Sequence, residues 1–320
     1  MLDDPRVSAC VVLYHAKPEV METLRCLYAS RERVTVFVAD NSPGDATAAE
    51  ILKRWPQTRM LTMKGNVGFG RANNAVIPHL NTAYHLICNP DVVFDPELIG
   101  RMVRYMDAHR DIVILTPRVF NPDGTEQFLP KRRPTVRYLM GGRRAIRGEA
   151  LLKRAESAGA EAEMLDAQCR KQWKKVGHSK GLDRFRETVR GNLLEIRCAA
   201  AKGQAARMRL RGERLCRWRR EYTLQGENVT EPMEVQFATG CFLLIRSQAF
   251  YRLGGFDERF FLYQEDSDLT LRALRLGKVV YHPDMCVTHV WSRDSQHDRM
   301  QTLQHIRSTL QFFRKWGWKW

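Results

Sequence analysis

The chain has 320 residues, 44% of them apolar, and a formal net charge of +16. That length supports one large domain or two modest ones with real cores, and the composition excludes wholesale disorder. No apolar run reaches the roughly 18 residues that a membrane-spanning helix needs.

The start, Met1-Leu2-Asp3-Asp4-Pro5, has neither the basic nor the apolar region of a secretion signal. The eight cysteines are scattered without a Cys-x-x-Cys pair, as expected of reduced, packing thiols in a cytoplasmic protein. The sequon at Asn228 is then expected to be idle. The charge is uneven: residues 141–220 hold 22 Lys and Arg against 9 Asp and Glu. Any account of the basic character must explain this one segment.

Apolar runs at 7–13 and 34–39 flank a segment in which Val20, Leu24 and Leu27 recur at helical spacing. Continuous apolar strands suit a parallel sheet covered on both faces. Further strands are predicted at Tyr84–Cys88 and Ile112–Thr116, with helices at Phe69–Leu80 and Pro96–His109. The first half is therefore α/β, built like a nucleotide-binding unit. Asn121-Pro122-Asp123-Gly124 reads as a tight turn. From Gly141-Gly142 the pattern becomes helical, polar and basic. Leu151, Ala155, Ala158, Ala162, Leu165, Cys169, Trp173 and Val176 form one stripe. After a break at 177–181, Leu182, Phe185, Val189, Leu193, Ile196 and Ala200 form a second. The pair predicts an inserted helical hairpin over 141–232. The α/β pattern resumes near Val235, with strands at Cys241–Arg246 and Lys278–His282 and a helix at Leu269–Leu276. Residues 298–320 predict an amphipathic tail helix rich in Phe and Trp. The expected division is thus 1–140 with 233–297, the insertion at 141–232, and the tail.

Five places suit chemistry. Asp40-Asn41 ends a strand, where an Asp can accept the N3–H of uracil or thymine or simply serve a turn. Asn66-Val67-Gly68-Phe69-Gly70-Arg71 is a glycine-bearing loop entering a helix. It suits a phosphate, with Arg71 as a partner, or plain helix capping. Asn89-Pro90-Asp91 follows a buried strand and suits a hard cation such as Mg²⁺ or Mn²⁺, or an ordinary strand exit. Glu265-Asp266-Ser267-Asp268 follows an aromatic wall and suits a general base, although carboxylates also favour helix starts. His289 suits a metal site with Asp91 or a structural role.

In this order, together with Asp123-Gly124-Thr125, Ala238-Thr239-Gly240-Cys241 and Gly254-Gly255-Phe256-Asp257-Glu258, these segments resemble the family 2 glycosyltransferases, in their rhamnosyltransferase-like branch. The resemblance covers about 6–135 and 233–300. It implies a GT-A fold, a mainly parallel central sheet flanked by helices, and an inverting mechanism. By the same resemblance Asp266 is the catalytic base with Glu265 beside it, and Asp91 and His289 hold Mg²⁺ or Mn²⁺. Asp40, Asn41, Asn66, Gly68, Arg71 and Asn89 contact the nucleotide sugar. Two departures stand out: Asn89 replaces the first Asp of Asp-x-Asp, and His15 stands where the family usually has Asn.

The implied reaction moves rhamnose or a hexose from a dTDP- or UDP-sugar to a glycan or lipid-linked acceptor in surface polysaccharide synthesis. The basic 141–220 segment and the Trp-rich C-terminus suit an anionic membrane surface on the cytoplasmic side, or a solvated hairpin and a packed tail. Two other classes fit less: a non-catalytic nucleotide- or glycan-binding scaffold, and a nucleic-acid-binding protein acting through 141–220, for which no reader motif is present.

Overall fold

The computed structural model describes residues 4–129, 131–227, 229–290 and 299–320. The first three residues, the Asn228 of the sequon, Trp291-Ser292 after His289, and Asp298 at the head of the tail lie outside the described residues. Two compact units form: Met1–Pro134 with Thr223–Trp320, and Thr135–Tyr222. None of the described helices is long and apolar enough to cross a membrane.

In the first unit, β1 (Val7–Leu13) is buried at every position, as a strand covered on both faces must be. Then follow α1 (Glu19–Ala29), β2 (Val34–Asp40), α2 (Ala46–Arg54) and β3 (Arg59–Thr62). Val20, Leu24 and Leu27 form the buried stripe of α1, as their spacing requires. The helix expected over Phe69–Leu80 is two pieces, α3 (Phe69–Asn74) and a 3-10 turn at Ile77–His79, because Pro78 has no N–H to continue an α-helix. After β4 (Tyr84–Cys88) come β5 (Val92–Phe94), α4 (Leu98–Ala108) and β6 (Ile112–Phe120). The chain returns with β7 (Met233–Glu234), β8 (Phe242–Arg246), α7 (Ser247–Arg252), α8 (Glu265–Ala273) and β9 (Lys278–His289). Helix α8 starts four residues before the expected Leu269, so the acidic motif forms its first turn.

Among the described residues the strands make one sheet in the order β3-β2-β1-β4-β8-β6-β9-β5, with β7 on β9. Strands β3, β2, β1 and β4 run parallel, and β8 lies antiparallel between β4 and β6. From β1 the chain proceeds to β2 and β3 on one side and to β4 on the other. The connections that leave the carboxyl ends of the paired strands β1 and β4 therefore diverge, and α/β sheets bind ligands at such places.

The second unit is a helical hairpin, α5 (Val136–His178) and α6 (Gly181–Tyr222). Its helices begin before 141 and end well before 232, because Thr135 caps α5 by accepting the Tyr138 N–H at 3.3 Å. Residues 223–232 belong instead to the first unit, where Leu224 and Val229 join its core. The buried seam of α5 runs Gly141, Gly148, Ala155, Ala162, Cys169, Val176, a strict seven-residue repeat. On α6 the buried residues are Gly191, Cys198, Gly212 and Cys216, the first three in the same register. Small residues on a heptad seam bring two backbones close. A Cβ added to Gly148 would meet the Gly212 carbonyl oxygen at 2.9 Å and Cys216 Sγ at 2.5 Å.

This packing corrects the second expected stripe. Leu182, Phe185, Val189, Leu193 and Ile196 are 78, 68, 42, 56 and 65% exposed. A helix in a two-helix hairpin buries one face only, and α6 buries its small residues.

Replacing Gly148 with Val should therefore destabilise the hairpin alone, by about 1–3 kcal/mol of overpacking. Hydrogen exchange should quicken across 135–222 and stay unchanged in β1, β4 and β8; unchanged protection in α5 would contradict this seam.

Candidate active site

A cavity of about 590 Å³ opens at the carboxyl ends of β1, β2 and β4. Tyr14, Asn41, Asn66, Gly68, Phe69, Asn89, Pro90 and Asp91 line it, and Phe261, Leu262, Met300, Gln301 and Gln304 close the far wall. The glycine-bearing loop is already committed within the protein. The Val67 N–H donates to Asn41 Oδ1 at 2.8 Å, the Gly68 N–H to Asn66 Oδ1 at 3.0 Å, and the Phe69 N–H to the Phe261 carbonyl at 3.0 Å. Gly68 has another reason to be glycine: its φ is +89°, and a Cβ would lie 2.3 Å from the Phe261 carbonyl oxygen.

Arg71 also departs from expectation. It pairs with Glu258 at 3.3 Å, mostly exposed, and does not line the cavity. Asp40 is buried at the end of β2, where its Oδ1 accepts the Ser42 N–H at 3.1 Å; it serves the turn and is not in the cavity wall. Asn41 does line the cavity, but both ends of its amide are used: Nδ2 donates to Asn66 Oδ1 at 3.0 Å. His15 binds Ser42 Oγ through its N–H and faces Asp45 at 3.2 Å.

Asp91 and His289 do come together, through pairing of β5 with β9 that sets Val92 opposite His289. Asp91 Oδ1 is buried, has no hydrogen-bond donor, and lies 3.2 Å from His289 Nε2. Gln127 decides what that nitrogen is. Its Nε2 donates to the His289 carbonyl at 2.8 Å and to Asn121 Oδ1 at 2.9 Å, so its Oε1 faces His289 Nδ1 at 3.0 Å. An amide oxygen accepts, so Nδ1 carries a hydrogen and Nε2 is the ring nitrogen turned toward Asp91. Asn89 Nδ2 lies 3.3 Å from the same nitrogen. Asp91 Oδ1 and His289 Nε2 thus converge on one place at the end of β4. The donor set, one carboxylate and one imidazole, suits a divalent ion whose remaining positions go to phosphate and water. No cluster of three or more ligating side chains occurs among the described residues, so substrate oxygens must complete such a site. Gln127 was missed in the sequence, although it follows the Asp123-Gly124-Thr125 turn already singled out.

The second acidic motif meets the first across the turn Gly240-Cys241. The Asn89 N–H donates to the Cys241 carbonyl at 2.8 Å, and the Gly240 N–H donates to Asp266 Oδ2 at 3.3 Å. Asp266 Oδ1 accepts the Ser267 N–H at 2.7 Å. Burial raises its carboxyl pKa, opposed by the Lys131 ammonium and these two amides. Glu265 is buried, its Oε2 has no partner, and burial together with the Asp266 charge holds it well above the usual carboxylate range. Its burial and the neighbouring Asp266 charge thus both favour the protonated form. Tyr263 and Gln264, just before the motif, both have left-handed φ, 69° and 68°. Such non-glycine positions cost on the order of 1 kcal/mol each.

The remaining acids are structural. Asp268, fully buried, accepts from Arg272 Nε at 2.7 Å, Lys315 Nζ at 2.6 Å and Trp316 Nε1 at 2.8 Å. Asp257 binds Arg259 and Lys315, and Asn74 clamps Phe256 through both its N–H and carbonyl at 2.8 Å. The tail is helix α9 (Arg299–Trp316), with Phe312 and Phe313 buried and Ser308 Oγ donating to the Leu262 carbonyl at 2.7 Å. The helix packs on the α/β unit and supplies part of the cavity wall, while Trp318 and Trp320 beyond it are exposed.

Residues 8–160 match the family described as glycosyl transferase family 2. The N-acetylglucosaminyl-diphospho-decaprenol L-rhamnosyltransferase of Mycobacterium tuberculosis is 26% identical over 96% of this chain and 84% of its own length. Among solved structures, the mannosyltransferase PcManGT of Pyrobaculum calidifontis, in complex with GDP-Man and Mn²⁺, superposes with a TM-score of 0.54 at 14% identity. That match covers 98% of this chain, which spans 65% of the mannosyltransferase chain's length. GalNAc-T7 with UDP, GalNAc and Mn²⁺ gives 0.52 at 11% identity, over 90% of this chain and 43% of its own. The fold is GT-A, and the chain is similar to family 2 glycosyltransferases over 8–160 and to a rhamnosyltransferase over nearly its whole length.

Removing the Gln127 amide should free the His289 ring to adopt the other tautomer. Gln127→Ala is expected to weaken Mn²⁺ binding in the presence of nucleoside diphosphate about 10–100-fold, read by electron paramagnetic resonance. Unchanged Mn²⁺ affinity would remove Gln127 from this role. Glu265 gives a second test. The folded chain keeps its proton while the unfolded chain loses it in the usual carboxylate range, so its stabilisation is present at acidic pH and is lost as pH rises. Glu265→Gln should flatten the decline of Tm between about pH 5 and 8, and stabilise most at the alkaline end. A parallel Tm profile in the two proteins would mean that Glu265 is ionised.

Proposed function

We propose that this chain is a family 2 glycosyltransferase that moves a sugar, rhamnose foremost, from a dTDP- or UDP-activated donor to a hydroxyl of a lipid-linked glycan, with inversion at the anomeric carbon. The observation that carries the reading is that Asn89 and Asp266 both hydrogen-bond to the Gly240-Cys241 turn, with Asn89, Pro90 and Asp91 lining the cavity and Asp266 just outside its lining. Such a division of carboxylates gives one to the leaving diphosphate and one to the attacking hydroxyl. The acceptor class rests on the mycobacterial relative, whose name specifies an N-acetylglucosaminyl-diphospho-decaprenol acceptor and whose likeness spans nearly the whole chain. A polyprenyl-linked acceptor in cell-surface polysaccharide synthesis is used at the cytoplasmic face of the plasma membrane.

Asp91 and His289 are the residues to hold a divalent ion, Mg²⁺ or Mn²⁺. When bound, that ion offsets the charge developing on the diphosphate leaving group. Asn89 donates a hydrogen bond where the family places a second carboxylate, so the site carries one protein anion fewer. Tyr14, half exposed at the cavity mouth, offers a ring face to the nucleotide base. In the transfer, the acceptor oxygen bonds to the anomeric carbon as its proton passes to Asp266. The bond from that carbon to the diphosphate oxygen breaks, and its electron pair leaves on the phosphate. Burial makes Asp266 a stronger base than an exposed Asp, while the Lys131 charge favours its ionised form.

Asp266→Asn should lower transfer by about 10²–10⁴-fold while the affinity for nucleoside diphosphate sugar stays within error, measured by product release and by titration calorimetry. Near-wild-type turnover in that variant would overturn the assignment of the base. A screen of dTDP- and UDP-sugars, reading nucleoside diphosphate release, identifies the donor.

A further inference from the structure

The hairpin carries most of the protein's charge and an apolar face that its own packing leaves open. Thr135–Tyr222 holds 23 Lys and Arg against 10 Asp and Glu, +13 of the chain's +16. On α6, at 100° per residue, Leu182, Phe185, Val189, Leu193 and Ile196 fall within an arc of about 80°. The buried Gly191 and Cys198 lie on the opposite side. The stripe is about 20 Å long. Farther along α6 the same face continues as Arg207, Arg211 and Arg214, all exposed and, among the described residues, without an ion pair. Arg186, Arg190 and Arg197 flank one side of the apolar part. Five large apolar side chains, each more than two-fifths exposed, in one register are too many for a solvated surface.

We propose that this face of α6 docks on an anionic phospholipid bilayer, with Leu182, Phe185, Val189, Leu193 and Ile196 entering the acyl boundary and the arginines meeting the headgroup phosphates. The charge selects the occupant. A second copy would set +13 against +13 across the stripe, whereas an anionic lipid surface complements both the apolar residues and the arginines. A nucleic acid would complement the arginines and leave the aliphatic stripe in water. The docking face belongs to the hairpin alone and does not depend on which donor or acceptor the catalytic unit uses.

The test is co-sedimentation of the full chain with phosphatidylcholine vesicles, with and without phosphatidylglycerol. The wild-type chain should pellet with the anionic vesicles and much less with the neutral ones. The double variant Phe185→Asp, Leu193→Asp should partition at least about tenfold more weakly, since both charges enter the apolar boundary. The triple variant Arg207→Glu, Arg211→Glu, Arg214→Glu should lose binding similarly and also its salt dependence. Unchanged helicity by circular dichroism shows that the variants fold. Retained nucleoside diphosphate release from the donor separates lost docking from a failure of the catalytic reading. Wild-type chain left in the supernatant, or variants pelleting as well as wild type, would overturn the proposal. So would a wild-type dimer that the double variant dissolves, or a nucleic-acid gel shift in a chain that ignores vesicles.

Discussion

A carboxylate removed from water must find donors, and Asp268 meets that constraint in a way that organises the catalytic unit. It is fully buried at the end of the first turn of α8 and takes donors from Arg272, Lys315 and Trp316. Arg272 also donates to the carbonyls of Leu253 and Gly255, so the same charge fixes the Gly254-Gly255 turn. Lys315 and Trp316 bring the end of α9 onto α8, and the start of α9 supplies Met300, Gln301 and Gln304 to the cavity. Leaving such a charge with one partner removed is expected to cost several kcal/mol. The helix that presents Asp266 and the helix that walls the cavity are thus held by one buried anion.

The same unit places charges of different character close together without letting them cancel. Burial and the Asp266 charge push the Glu265 carboxyl up, while Asp266 has Lys131 and two backbone amides to support its ionised form. On the other side of Gly240-Cys241, Gln127 Oε1 accepts from His289 Nδ1 and turns Nε2 toward Asp91. The left-handed Tyr263 and Gln264 mark where the backbone bends ahead of the acidic motif.

The hairpin follows a different rule. Its seam is built from Gly, Ala and Cys at seven-residue intervals, which closes the two backbones on each other. That choice leaves the larger aliphatic side chains of α6 outside. The catalytic unit is close to neutral, so the chain's basic character and its unspent apolar surface reside on the same element.

Much of this could be read from the sequence. The uninterrupted apolar runs at β1 and β4 determined buried strands, the spacing of Val20, Leu24 and Leu27 determined the face of α1, and the order of the acidic motifs pointed to the GT-A fold. These are local patterns, or a linear order of them, and need no partner to be legible. The sequence could not say that the Leu182–Ile196 stripe of α6 would stay outside, because helical spacing suits a buried face and only packing of Gly191, Cys198 and Gly212 turns it away. It could not say that the amides at 67–69 are consumed, since their acceptors Asn41, Asn66 and Phe261 come from distant segments. Nor could it separate four nearby carboxylates into a buried, partly unpartnered Glu265, an Asp266 held by backbone amides, and two ion-paired anchors, Asp257 and Asp268. That division is set by burial and by the partners each one meets, and both exist only once the chain has folded.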